Sequence, residues 1–568
     1  MWIKRDSLTT VKDCRLRNLG LKNVDEINNW FRRSYNNEYY IPGLSEAVGI
    51  LKKLLQLDKE TPIHIIGDYD VDGITATSIC YSGLIYAGFK NVTYRIPKRF
   101  SEGYGLNTTI IDEIDSGIIL TVDNGIAAKT AIEKAKEKGL FVILTDHHLP
   151  PKDADGNMIL PPADIIIDPH VTIDATFTGY CGAGIAYRLM KELLPNKCKF
   201  AYRLQALAAI GTIADCMDLR EENYVIVRNG LRLLPIVAGT GLRALMQAWN
   251  LEKISSEDIG FKIGPCLNAP GRLYDDGALT SLALLLWDGN IQDAVRLAEN
   301  IVEENQKRKD SVASAMEKAN AYIQDECLYG DLVYSIYLPD INEGILGIIA
   351  GRIAEQEKVP AFVFTDNGTS FKGSGRTYGD IHLKNLLDNV NAVDPDIFIG
   401  YGGHDGAAGL SIKKEKFQDF RLEMNAKCPT TALPTNDNFF DLEIEELDIP
   451  RITAEEDAFN PSGKANEALI YKIKNYRGLP YMGKIVNKLG ENGGFKIIGQ
   501  NSTVVGFNNP ELLSCSESSE FEIYGTISYN YFKGKAMPQI TAVDIVPLRK
   551  KETSTDFANL IAKMASKR

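Results

Sequence analysis

A chain of 568 residues is too long for one hydrophobic core and points to about three to four domains. Its hydrophobic share of 44% and charged share of 24% are ordinary for a globular protein, and no run approaches the about 18 unbroken apolar residues of a membrane span. A net charge of −12 argues against a general nucleic-acid coat protein, though not against an enzyme that grips a polyanion locally with a few Arg and Lys.

The N-terminus, Met1 to Asp6, lacks the apolar stretch of a secretory leader. Nine cysteines without a Cys-x-x-Cys pair suit reduced thiols, so a cytoplasmic setting is expected. Residues 1–58 read as a helical segment, with Ile27 to Phe31 and Leu44 to Leu57 as amphipathic pieces. From residue 62 the pattern alternates. Apolar strands are expected at 63–67, 91–97, 117–122, 141–145 and 163–167, with helices at 73–87, 107–115 and 125–138 between them. This is the signature of right-handed crossovers and a mainly parallel sheet, assigned to residues 59–217.

Residues 182–250 read as helices, and 218–328 as a helical connector that ends in a long amphipathic helix over 290–325. The polar second half of that helix suits an element bridging two domains. A second α/β unit is expected over 329–428, with strands at 332–337 and 361–365 around a helix at 344–356. Past the Pro429–Pro434 linker, short strand-like runs at 495–498, 502–506, 521–527 and 539–545 suggest a small barrel over 435–548, followed by a polar tail at 549–568.

The candidate chemistry sits at the ends of the first strands. Thr145-Asp146-His147-His148 spends two of six histidines directly after a buried strand. In an open α/β sheet, ligands bind beyond the carboxyl ends of the strands. Asp68-Tyr-Asp70-Val-Asp72-Gly73, Val122-Asp123-Asn124-Gly125 and Ala214-Asp215 bring further carboxylates to what reads as the same edge. The Asp-x-Asp-x-Asp-Gly run also opens an EF-hand loop, but the twelfth position is Ile79 where that loop needs Glu. Singly, each group has a plainer explanation: surface histidines, a helix cap at Asp123, a cap or ion pair at Asp215. Together they read as a mixed Asp/His site for divalent manganese, magnesium or zinc, with Asp123 in the middle of the sheet as the bridging ligand.

These segments resemble the DHH phosphoesterases, and more narrowly their RecJ-type single-strand-specific 5′ exonucleases. Arg99-Phe-Ser-Glu-Gly-Tyr-Gly-Leu106, Thr212 to Asp218, Leu267 to Arg272, Gly344 to Ala350, Gly373-Ser-Gly-Arg376 and Gly402 to Gly409 extend the resemblance over about residues 40–425. It implies a DHH domain joined by the long helix to a DHH-associated domain, with an OB-like barrel behind. It also implies two divalent metal ions, manganese or magnesium, on Asp70, Asp72, Asp123, His147 and Asp215. Asp68 is then an additional acid, Asp146 orients an imidazole, and His148 faces the scissile phosphate. Arg99, Arg272, Ser374, Arg376 and His404 would grip nucleic-acid phosphates.

The implied activity is metal-dependent hydrolysis of single-stranded DNA from the 5′ end, releasing 5′-mononucleotides in repair and recombination. A single-strand-binding protein or a helicase is the implied kind of partner, for a monomer off the membrane. Two other functions fit the same motifs: a small-substrate phosphoesterase for oligoribonucleotides or cyclic dinucleotides, and a catalytically silent replication scaffold. Tyr529, Tyr531 and Phe532 are candidates for base stacking or simple strand core. The chain departs from the family pattern at Asn342, Asp405-Gly406 and Pro270.

Overall fold

The computed structural model describes residues 2–32, 39–153, 155–196, 198–429, 438–480, 495–506, 518–532 and 534–550. Most of the linker and of the C-terminal tail, 430–434 and 551–568, lies outside the described residues.

Five short strands, β1 (Ile63–Ile66), β2 (Val92–Arg95), β3 (Ile118–Val122), β4 (Phe141–Thr145) and β5 (Ile165–Ile167), form one sheet in the order β2-β1-β3-β4-β5. Every pairing is parallel. β3, the middle strand, is buried along its whole length, which is why it reads as an unbroken apolar run. Helix α1 (Val71–Ala87) is apolar on nearly all sides because it lies between the sheet and two further helices, α2 (Gly182–Leu193) and α3 (Phe200–Ala214).

The stretch expected as a connector does more than link. Leu219, Ile226, Leu245, Leu282 and Ile301 share one core with the sheet residues Ile63, Leu120 and Ile143, as do Leu44 and Leu51 of the N-terminal segment. Helix α4 (Gly264–Leu273) belongs to this mass. The bridging helix α5 (Ile291–Asp325) has 35 residues and is about 52 Å long. Its first half packs Ala294, Ala298 and Ile301 into the first core, and its second half packs Val312, Ala315, Ala319 and Ile323 into another.

That other core belongs to the second unit, built on β6 (Tyr334–Tyr337), helix α6 (Leu346–Glu357), β7 (Ala361–Asp366), β8 (Phe371–Arg376), β9 (Phe398–Gly403) and β10 (Ala407–Ile412). The sheet order is β9-β10-β8-β7-β6, with only β6 and β7 parallel. Gly373-Ser-Gly-Arg376 lies in a central strand despite its two glycines. A Cβ on Gly373 or Gly375 would lie 2.4 or 2.3 Å from the rings of Phe364 or Phe362, so the two aromatics fill the face the glycines leave open.

The C-terminal strands are β11 (Tyr471–Pro480), β12 (Phe495–Gly499), β13 (Thr503–Gly506), β14 (Ser518–Phe532) and β15 (Lys535–Lys550). They run β11-β12-β13-β15-β14, and β14 pairs back onto β11 to close an OB-like ring. The N-terminus joins this unit: Trp2–Lys4 pairs with Asn438–Phe440, and Val11 and Cys14 enter the barrel core. Arg15, wholly buried, donates to Asn466 Oδ1 at 3.0 Å and lies 3.6 Å from the buried Glu456 carboxylate. Among the described residues no single helix is long and apolar enough to cross a membrane.

Removing one partner of a buried ion pair leaves an uncompensated charge. Arg15→Ala is therefore expected to destabilise the barrel unit by roughly 3–5 kcal/mol, read from its denaturant transition. Arg15→Ala combined with Glu456→Ala should recover part of that loss.

Candidate metal centre and its facing cations

The first carboxylates follow β1 at the turn into α1. Asp70 caps that helix, accepting the Gly73 N–H at 3.1 Å. Gly73 is required because a Cβ there would lie 2.6 Å from the Asp68 carbonyl oxygen. Asp72, in the first turn, accepts the N–H groups of Gly182 and Ala183 at 2.6 and 2.9 Å, so the positive N-terminus of α2 faces its charge. Asp68 is buried, and neither of its carboxylate oxygens has a protein partner.

The next contributions come from β3 and β4. Asp123 is not the helix cap its Asn-Gly neighbours suggest. It occupies a left-handed conformation with φ 63°, a strained position for a side chain other than glycine. Gly182 packs on it, where a Cβ would lie 2.4 Å from the Asp123 Cβ. Asn124 holds the turn by donating to the carbonyls of Ile66 and Val122 and accepting the Leu106 N–H, and the Tyr104 hydroxyl donates to the Asp123 carbonyl at 2.7 Å. Neither Tyr104 nor Asn124 was singled out from sequence, although both lie within the matching motifs. Asp215 arrives differently from the expected strand end: it caps the C-terminus of α3.

His147 lies at the meeting point. Its Nε2 is 3.1 Å from Asp123, 3.7 Å from Asp72 and 3.8 Å from Asp215. Three groups of side chains present ligand atoms within 4.8 Å of one another: Asp123 with His147 and His148, Asp72 with His147 and Asp215, and Asp68 with Asp70 and Asp123. Asp68 thus stands within reach of a cation. Asp146 faces away into the protein, accepting the N–H groups of Ile126, His147 and His148 and the His148 Nδ1 at 2.7 Å.

Burial and mutual repulsion dominate the electrostatics. Desolvation first, then the neighbouring carboxylates, push Asp68 and Asp123 well above the usual carboxylate range and raise Asp70. The same two causes bring Asp215 up to about 8. Burial depresses His147. Burial also works against a charged His148, but its bond to Asp146 outweighs this and brings it up to about 9. For Asp146, burial is outweighed by the His148 bond and the Ile126 N–H, and its carboxyl stays below the ordinary range. Buried carboxylates with orphaned oxygens, grouped with imidazole nitrogen, are the donor set of a divalent cation site.

Both units bring positive charge to this edge, Arg99 and Arg272 from the first and Arg376 from the second. Arg272, at the end of α4, donates to the Gly344 carbonyl at 3.2 Å, linking the two units. Burial and the neighbouring Arg99 and Arg308 bring its guanidinium down to about 10. Arg99 stacks on Tyr69 at 4.4 Å, and Asp275 holds the Arg99 loop by accepting the Phe100 and Ser101 N–H groups. Arg376 donates to Ser374 Oγ and the Gly375 carbonyl, and Gly347 of α6 leaves room for it, since a Cβ there would lie 2.7 Å from Arg376 Nη2. Burial and Arg99 depress Arg376, while partial desolvation and Arg376 depress His404 in the turn between β9 and β10. Of the departures, Asn342 donates to the Leu273 carbonyl at 3.1 Å and Asp405 pairs with His382 at 3.1 Å. Two further groups went unread in the sequence. Asp168 and His170 follow β5, and burial brings the Asp168 carboxyl up to about 8.

The family described as DHH family, N-terminal domain, matches residues 62–217, and the DHHA1 domain matches residues 330–429. A parallel sheet with Asp and His at its carboxyl edge, followed by a DHHA1 unit, defines a DHH protein. The single-stranded-DNA-specific exonuclease RecJ of Haemophilus influenzae is 34% identical over 465 residues, 75% of this chain and 78% of that protein. RecJ of Salmonella typhimurium is 35% identical over 407 residues, 67% and 68% of the two chains. The crystal structure of Thermus thermophilus RecJ in complex with Mn2+ superposes with a TM-score of 0.73 at 26% identity, over 96% of this chain and 79% of that one. The chain belongs to the RecJ family.

Because the folded chain retains protons on Asp215 and its neighbours above about pH 4, where an ordinary Asp loses them, raising the pH from about 4 towards 8 destabilises the metal-free fold. Loss of the favourable His148 charge acts in the same direction as the pH rises from about 6.5 through about 9, while the depressed His147, His170 and His404 act in the opposite direction below about 6.5. Mn2+ should therefore raise the melting temperature more at about pH 8.5 than at about pH 6, as measured by calorimetry with and without chelator.

Proposed function

We propose that this chain is a metal-dependent exonuclease that hydrolyses single-stranded DNA from the 5′ end and releases 5′-mononucleotides. The observation that carries the reading is that two opposite chemistries meet at one edge of the sheet. Carboxylates and imidazoles stand beyond β1, β3 and β4, and Arg99, Arg272 and Arg376 stand close to them, their own hydrogen bonds going to backbone carbonyls and a serine hydroxyl and their ring contact to a tyrosine. Such arginines suit phosphate oxygens, and Arg376 is seated beside the Ser374 hydroxyl in the space that Gly347 leaves.

Asp70, Asp72, Asp123, His147 and Asp215 are the proposed ligands of two manganese or magnesium ions, which when bound would polarise the phosphoryl group and lower the pKa of an attacking water. Asp68 serves as a further acid at the same cluster. Asp146 fixes the His148 ring through Nδ1, and below about pH 9 the ring is positive, able to stabilise phosphate charge or give a proton to the departing oxygen. Arg99, Arg272, Ser374, Arg376 and His404 hold the backbone and the 5′ end. The assigned units follow: the DHH sheet for chemistry, the DHHA1 unit for the strand end, and the barrel for the incoming strand. A monomer working in cytoplasmic DNA repair and recombination, with a single-strand-binding protein or helicase at hand, completes the reading.

Incubation of 5′-labelled single strands, duplexes and dinucleotides with Mn2+ or Mg2+ tests it. Mononucleotides should appear from the long single strands and disappear with Asp123→Ala or His147→Ala. Activity confined to dinucleotides would contradict the proposal. Asp146→Asn, which weakens the hold on His148, should lower kcat by about 10- to 100-fold. Arg376→Ala should raise KM for 5′-phosphorylated strands by about 10- to 100-fold with a smaller change in kcat.

A further inference from the structure

A cavity of about 1230 Å³ lies against the later turns of α2, apart from the metal centre. Gly182 and Ala183 at the start of that helix hold Asp72, whereas Arg188 and Lys191 line the cavity. Eight residues of helix, about 12 Å, separate Ala183 from Lys191. The remaining walls come from the helices Leu44–Leu57, α3 and Glu221–Val237, and from the loop residues Tyr39, Tyr40, Pro195 and Cys198 among others.

The cavity is positive in a chain whose net charge is −12. Lys52, Arg188, Lys191 and Arg232 line it against only two carboxylates, Glu192 and Glu222. Both carboxylates are engaged by Arg188, at 3.1 and 2.6 Å. Arg188 is 6% exposed and also donates to the Tyr180 hydroxyl and the Tyr39 carbonyl, yet its buried Nε–H has no acceptor. Burial depresses Lys191 from its ordinary range, as expected of a cation kept from water. Tyr40 and Tyr202, 50% and 45% exposed, offer aromatic faces at the rim.

We propose that this cavity binds a mononucleotide, with its phosphate towards Arg188, Lys191 and Arg232 and its base against Tyr40 and Tyr202. The preference for an anion rests on the cavity alone; the choice of a nucleotide rests on the exonuclease reading, in which one is released at every turnover. The volume exceeds the about 300–1,000 Å³ of ordinary small-ligand clefts, leaving room for a hydrated nucleotide.

Calorimetric titration of the full-length, chelator-treated protein with dTMP, and separately with inorganic phosphate, tests the assignment. One dTMP should bind per chain, and Arg232→Glu combined with Lys191→Glu should weaken it about tenfold or more. Asp123→Ala and Arg376→Ala should leave it unchanged. Circular dichroism establishes that the charge-reversed variant is folded. Loss of binding in Arg376→Ala with retention in the charge-reversed variant would place the nucleotide in the DNA cleft and overturn the proposal. Phosphate binding without dTMP binding would overturn the nucleotide assignment, and no binding of either probe would overturn the site. Should single-stranded DNA yield no mononucleotides, the exonuclease reading fails, while this titration still decides the cavity.

Discussion

The carboxyl groups of Asp68, Asp70 and Asp123 are gathered so closely, and so far from water, that each resists the ionisation of the others. Charges of one sign in a buried cluster are stable only if they are neutralised, by protons or by a cation. The surrounding structure holds them there at a further cost, with Asp123 in a left-handed conformation and glycines at 73 and 182 to allow the approach. Strain concentrated on a repelling cluster is difficult to explain as packing and natural for a site completed by metal ions.

The scaffold resolves this conflict by orientation. Parallel strands deliver their carboxyl ends to one edge, and α2 turns its N-terminus towards Asp72. His148 is placed differently from His147. One ring sits among the carboxylates, and the other is pinned to Asp146 at the half-exposed mouth. The bridging helix α5 has one half in each core, so the unit that carries the acids with Arg99 and Arg272 and the unit that carries Arg376 are built into a single framework. Asn342 and Arg272 add polar links across the junction, each to a backbone carbonyl of the other unit.

Much of this was legible in the sequence. The parallel strands announced themselves as apolar runs, and the acids after them fell where ligands bind in such sheets. Other features left no local signal. β8 is rich in glycine because Phe362 and Phe364 cover it, so it lacks the alternation of a strand. Asp215 comes from the end of α3, inside the stretch that reads as helical, and what the sequence does not show is that this helix end reaches the strand edge. The helices from Leu219 to Ile301 pack on the sheet through contacts distant in sequence, as does the N-terminus on the barrel. Lys253 donates to the Tyr531 hydroxyl at 2.6 Å, occupying one of the rings considered for base stacking. Phe532 has no described side chain.

The central claim is that this acid–imidazole cluster holds two divalent ions bridged by Asp123. Electron paramagnetic resonance during Mn2+ titration addresses it most directly. Two ions per chain with a spin-coupled signal are expected, and Asp123→Ala should abolish the coupling. A single uncoupled ion, or coupling that survives the loss of Asp123, would contradict it.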